Sequence, residues 1–402
     1  MRLSPLSLFK LALWIQLVVG MIACTQTKRA PDVIPEPLKA EQIGKIEKLP
    51  ADYPGHWIVQ KSGGMMTQSE GRFIIIDPLA EKVQDQVKGA IAYAHMANFR
   101  WSKKRNEFYV GETVYSRGTR GEKTDLLTIW STETLSPINE IILPGGKRAQ
   151  LTAELYHPML FNNDRFLLML NFTPATSVNV IDLDKREKVN DIQIPGCVLI
   201  YPTGDSGFSS ICSNGAMMTT ILDDNGQTVS QNRTESFFNT DTKPYFTPAV
   251  ISKNKTAFFA SYYSNVMEVD LSGSIAVKGD EWSLLSAKDR KEGWRPGGSK
   301  IAAIDEQGLM YILMHPKGYN GSHKKGSQEV WVVDLEKRVR INRYKLKNTA
   351  SSVFITRSTD PMDPLMITTS RQNVDVYRAK TGKFIRNLND DIHMPAAGLV
   401  FN

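Results

Sequence analysis

Cysteine is scarce in this chain, with three among 402 residues, at positions 24, 197 and 212. That scarcity excludes a small scaffold stapled by disulfides, and the lack of any Cys-x-x-Cys pair excludes the common zinc and thioredoxin-type arrangements. The six histidines, at 56, 95, 157, 315, 323 and 393, form no His-x-x-x-His or His-Glu-x-x-His pair, so no metal site is expected. Gly-x-Ser-x-Gly, a phosphate-binding loop and a dinucleotide fingerprint are missing too, which leaves no self-contained catalytic machinery. Asp223-Asp224-Asn225-Gly226 and Asp305-Glu306-Gln307-Gly308 lack the spaced ligands and terminal glutamate of a calcium loop and read as hairpin turns. Basic residues are not gathered into a block: 49 Lys and Arg against 42 Asp and Glu give a net charge of only +7. This balance favours an acidic protein partner over nucleic acid. Lys103, Lys104 and Arg105 interleave with aromatics in WSKKRNEFYV but read as a solvated hairpin tip.

What is present begins with 41% hydrophobic residues, enough to bury a large core without covalent help. Residues 1–23 read as a signal peptide, with Arg2 and Lys10 ahead of the apolar stretch Leu11 to Ile22 and small Ala23 before Cys24. The apolar run is short for a membrane span. Export to the periplasm is therefore expected. Cys24 stands where a lipoprotein signal places its lipidated cysteine, which would anchor the chain to a membrane; cleavage nearby without lipidation is the alternative. Residues 24–49 are polar and proline-punctuated and read as an arm or tether.

Cys197 and Cys212 remain after export. A disulfide between them is expected, because Gly204-Asp205-Ser206-Gly207 forms a turn that would bring two antiparallel strands together; two buried thiols are the alternative. Closing so short a loop stabilises by about 3 kcal/mol.

From residue 50 to 402 the pattern is strand-like throughout, with short β-branched or aromatic runs between Gly, Asn, Asp and Lys turns. The one helix candidate lies near Glu281 to Glu292. An alternating apolar strand, a polar turn and a second strand recur seven times, with turns opened by Asp77, Ser131, Asp182, Asp223, Asp270, Asp334 and Arg378. The interval averages about 50 residues, the length of a four-stranded blade. The pattern predicts an all-β fold, a single seven-bladed β-propeller, in which each blade hides its faces against its neighbours. The long interval from Asp270 to Asp334 predicts an insertion.

Longer stretches resemble the heavy subunit of quinoprotein amine dehydrogenases, the methylamine and aromatic amine dehydrogenases. They are EGWRPGG at Glu292 to Gly298, GSHKKGSQEVWVVD at Gly321 to Asp334, ETVYSRGTRGEKTDLLTIW at Glu112 to Trp130, PATSVNVIDL at Pro174 to Leu183, and PGCVLIYPTGDSGFSSICSNG at Pro195 to Gly215. The resemblance implies a seven-bladed propeller with one disulfide, matching Cys197 with Cys212, in an assembly of two heavy and two light subunits. It implies that the tryptophan tryptophylquinone and the catalytic aspartate belong to the light subunit, leaving no cofactor and no catalytic residue on this chain. The implied reaction is oxidative deamination of a primary amine to an aldehyde and ammonia, with single electrons passed to a cupredoxin.

By the same resemblance, YPGHW at Tyr53 to Trp57 makes Trp57 a candidate for the substrate-channel wall and points towards aromatic amines. Trp294 and Arg295 become candidates for the light-subunit interface. Ser299 and Lys300 depart from the family, which often continues WRPGG with an aromatic and glutamines. Together with Cys24, that departure motivates a second reading, a stand-alone propeller lipoprotein that binds or scaffolds without catalysis.

Overall fold

Asp recurs where the third strand of a sheet turns into the fourth because its carboxylate caps the backbone of that turn. Oδ1 of Asp182 accepts from Asp184 N and Lys185 N, both at 3.0 Å, and Oδ1 of Asp223 accepts from Asn225 N and Gln227 N, both at 2.8 Å. Asp77, Asp270 and Asp334 do the same towards Leu79, Ser272 and Lys337, and Ser131 uses its hydroxyl towards Thr134. The computed structural model describes residues 48–62, 70–94, 97–146, 157–173, 175–357, 364–370, 373–388 and, as backbone, 396–401. The expected signal segment, Cys24 and most of the arm lie outside these residues.

The strands form seven antiparallel sheets. Six are built in chain order from innermost to outermost strand: blade 2 starts with Asn98–Ser102, blade 3 with Met159–Phe161, blade 4 with Cys197–Thr203, blade 5 with Val250–Ile251, blade 6 with Arg295–Pro296 and Ala302–Ile304, and blade 7 with Ser352–Ile355. Blade 1 is composite. Its inner strand, Ala396–Phe401, pairs antiparallel with Ile58–Ser62, for example Val59 opposite Phe401, so the first and last described strands share one sheet.

Seven apolar clusters occupy the seven gaps between neighbouring blades. Phe73 and Phe99 belong to the gap between blades 1 and 2, Tyr109 and Leu167 to that between 2 and 3, and Ile74 and Ile367 to that between 1 and 7, which closes the ring. Burial follows from this layering. The third strand of blade 3, Ser177–Asp182, is buried at every position, whereas the outermost strand of blade 4, Thr228–Arg233, is exposed at nearly all of them. The seven-bladed propeller expected from the repeat is thus the observed fold, and all seven turn-opening residues end or directly follow a third strand where it turns into the fourth.

The helix is shorter than the sequence suggested. Glu281 to Ser283 finish the outermost strand of blade 5, where Trp282 pairs with Val266, and only Ala287–Lys291 (α1) is helical. The long interval before Asp334 holds α1 and the divided inner strand of blade 6.

Blades are also tied by charge. Glu107, 6% exposed, accepts from Arg186 Nη1 at 3.1 Å and from Tyr109 Oη at 2.5 Å, with Arg105 Nε at 3.4 Å. Burial raises the Glu107 pKa, but hydrogen bonds from Arg186 and Tyr109 and the two guanidinium charges outweigh it, so the carboxyl lies below its ordinary range. A depressed carboxyl stabilises the fold above its unfolded pKa and loses that contribution as pH falls through the folded one. Glu107→Gln should cost about 2 kcal/mol at pH 7, a figure reduced for the partly exposed guanidinium groups, and the difference should vanish in acid. Urea midpoints of variant and parent, measured from pH 7 down to pH 3, check this; a pH-independent difference would exclude the charge as its cause.

Candidate docking face

Antiparallel winding puts first-to-second and third-to-fourth turns on one face of the ring, here called upper, and second-to-third turns with the blade connections on the other, the lower. The WRPGG motif lies in the connection from blade 5 to blade 6, on the lower face. It begins at α1, whose first turn is fixed by a reciprocal cap. Ser286 Oγ accepts from Asp289 N at 3.2 Å, and the Asp289 carboxylate accepts from Ser286 N at 2.9 Å and Oγ at 2.6 Å. Asp289 is 1% exposed and also meets Arg340 Nη1 at 2.9 Å, which pins the helix against the outermost strand of blade 6.

Trp294 is buried between blades 5 and 6, its ring 5.1 Å from that of Trp331. The Arg343 guanidinium lies 4.4 Å from the Trp294 ring, and Arg340 lies 4.1 Å from that of Trp331. Arg295 points the other way. Its guanidinium lies 4.9 Å over Tyr263, and Nη1 donates to Asn320 Oδ1 at 3.4 Å. Gly318 permits this, because a Cβ there would lie 2.4 Å from Arg295 Cδ. The hairpin between the second and third strands of blade 6 closes the patch. His323 stacks on Tyr262 at 4.0 Å, Lys325 Nζ lies 5.1 Å over Tyr319, and burial, then Lys324, holds the His323 imidazole below its usual pKa. Tyr263 and Tyr319 remain 38% and 51% exposed.

Of the two interface candidates, then, Arg295 faces the patch and Trp294 supports it from the core. A disulfide joins Cys197 to Cys212 across the first two strands of blade 4, also at the lower face. Trp57 is elsewhere. It immediately precedes Ile58–Ser62, which starts at the upper face, and its ring is 8% exposed beside Tyr53, with Lys88 Nζ 5.2 Å away. Trp57 and Arg295 therefore stand on opposite faces of the ring. No motif in the sequence marks Tyr263, Tyr319 and Asn320. Their signal is an exposed aromatic in each of two second-to-third turns, SYYSN and GYNGS. Ser299 and Lys300 lie inside the ring rather than on the patch: Ser299 N donates to Ser351 O at 2.7 Å, and Lys300 is 8% exposed.

A family model described as methylamine dehydrogenase heavy chain matches residues 70–401. The chain belongs to that family. The methylamine dehydrogenase heavy chain of Methylorubrum extorquens is 26% identical over 282 residues, covering 70% of this chain and 68% of that one. The heavy chain of Methylophilus methylotrophus is also 26% identical, covering 70% and 69%. Among solved structures, the dihydro-heme d1 dehydrogenase NirN superposes with a TM-score of 0.54 at 13% identity, covering 93% of this chain and 83% of that one, a likeness of fold alone. As a methylamine dehydrogenase heavy chain relative, this protein is an amine dehydrogenase heavy subunit in general terms, and the family implies a light subunit as partner. Among the described residues no group of three or more His, Cys, Asp or Glu is placed to hold a metal ion.

Proposed function

We propose that this chain is the noncatalytic heavy subunit of a periplasmic enzyme that converts a primary amine and water to an aldehyde and ammonia, releasing two electrons and two protons. The observation that carries the reading is the family match across residues 70–401. The light subunit's tryptophan-derived quinone supplies the electrophile and electron sink when the two are assembled, and a cupredoxin takes the electrons singly. This chain's own part is to bind and orient that subunit and to exclude water from the joint surface.

The lower-face patch of Arg295, Tyr263, Tyr319 and Asn320 is the proposed docking surface. Its support is chemical: tyrosine and arginine are among the side chains that most often carry binding energy at protein interfaces. Two heavy and two light subunits and a lipid anchor at Cys24 belong to the same proposal. Co-expression with a neighbouring light subunit should yield a complex that reduces a dye in the presence of methylamine or phenylethylamine, and the preferred amine would define the branch. The pair Tyr263→Ala and Arg295→Ala should weaken assembly about tenfold or more without unfolding the ring. A purified chain with no small quinone-bearing partner and no amine-dependent dye reduction would favour the stand-alone lipoprotein.

A further inference from the structure

The inner strands enclose a central channel of about 710 Å³. Its walls are apolar along much of their length, with Trp101 from blade 2, Met159 and Leu160 from blade 3, Ile304 from blade 6 and Phe354 from blade 7. Its charge is one-sided. Arg100, Lys103, Lys104, Lys300 and Arg357 line it, and Asp164 is the one carboxylate among the described lining residues. Asp164 is already engaged, accepting from Ser102 Oγ at 2.7 Å.

The cations are positioned rather than scattered. Lys300 enters from the lower end and lies over Phe354, with Nζ 3.7 Å from the ring centre. Lys104 Nζ donates to Asn163 O at 3.1 Å, and Lys103 Nζ sits 4.7 Å from the Trp101 ring, both on the hairpin tip that overhangs the upper mouth. Arg357, at the end of the inner strand of blade 7, shares that mouth. Burial, then the positive charge of Arg357, lowers the Lys103 pKa, with Asp52 opposing. Like charges are thus close enough to feel one another in a partly dry cavity. Beyond the mouth, Lys253 adds another cation beside Asp305 and Glu306. Asp305 is committed to its own turn, accepting from Gln307 N at 3.0 Å and Leu309 N at 2.8 Å.

Cations gathered at the mouth of a low-dielectric cavity attract an anion, and apolar walls beneath them accept an apolar body. We propose that the central channel binds an amphiphilic small anion, with its carboxylate, sulfonate or phosphate group between Lys103 and Arg357 and its apolar part against Leu160 and Ile304, which are half-buried in the wall. The site is on the axis of the ring and independent of the lower-face patch, so it stands whether or not a light subunit docks there.

The test uses the purified full chain and the fluorescent sulfonate 8-anilinonaphthalene-1-sulfonate. One saturable site is expected, weakening as salt is raised. The double variant Lys103→Gln/Arg357→Gln should bind about tenfold or more weakly, since two partly screened charges are lost, one half-buried against Trp101 and one exposed. Dodecanoate should displace the probe, and dodecanol and inorganic phosphate should not. Lys300→Met, read for the same loss, probes the interior. No saturable binding overturns the proposal, as does unchanged affinity in the double variant with an unaltered circular dichroism spectrum. Displacement by dodecanol as effective as that by dodecanoate removes the anionic requirement, and equally effective displacement by phosphate removes the apolar one; either result overturns it.

Discussion

Gly298→Val should cost more than about 4 kcal/mol and strip blade 6 of its inner strand. Gly298 has φ of +135°, a backbone region essentially closed to residues with a Cβ. An added Cβ would also lie 2.4 Å from Ser351 O. The obstacle is backbone, and it is held on both sides. Ser351 O accepts from Ser299 N at 2.7 Å, and Ser351 N donates to Thr369 O at 2.7 Å, so moving it breaks the seam between blades 6 and 7. Gly298 N in turn donates to His323 O at 2.9 Å, which ties the WRPGG segment to the hairpin of the proposed docking face. Denaturant midpoints of purified variant and parent measure the effect. Gly298→Ala carries the same Cβ and should cost nearly as much; a parent-like midpoint for Ala would mean that the peptide rotates freely out of this conformation.

The glycines of WRPGG illustrate what is legible in a sequence and what is not. The motif could be read as a family mark, yet nothing in the letters says that Gly298 answers to Ser351, a residue from the start of the next blade. The blade turns were legible for a local reason. An Asp that caps its own turn works through neighbours two to four residues away, so it recurs wherever the turn recurs, as at Asp182 and Asp223. The number of blades followed from that recurrence. Closure through Ala396–Phe401 did not, because its partner Ile58–Ser62 lies more than 330 residues earlier in the chain and AAGLVF carries no turn of its own. Lys103 to Arg105 read as a hairpin tip and form one, between Asn98–Ser102 and Glu107–Arg117. That the tip overhangs a channel depends on six other blades. Resemblance makes Trp57 a channel candidate, and the face it occupies is set by the direction of one strand relative to the ring, which no local motif encodes.

Trp331→Ala should lower stability by about 5 kcal/mol, the upper end for an aromatic removed from a core. The ring is fully buried and lies at the centre of the gap between blades 5 and 6. It holds more than its own volume. Arg340 lies over it at 4.1 Å while also meeting Asp289 of α1 at 2.9 Å, and Arg343 lies 5.1 Å from it while covering Trp294. Truncation leaves both guanidinium groups facing a void, so the lost cation–π attraction adds to the cavity. Because Trp294 packs on Trp331 and adjoins Arg295, the damage should reach the proposed docking face: assembly with a light subunit should weaken even where the ring still folds. The denaturant midpoint reads the first effect and co-purification at low temperature reads the second. A loss near 1 kcal/mol with assembly intact would mean that the gap collapses around the missing ring and that Trp294 is held by blade 5 alone.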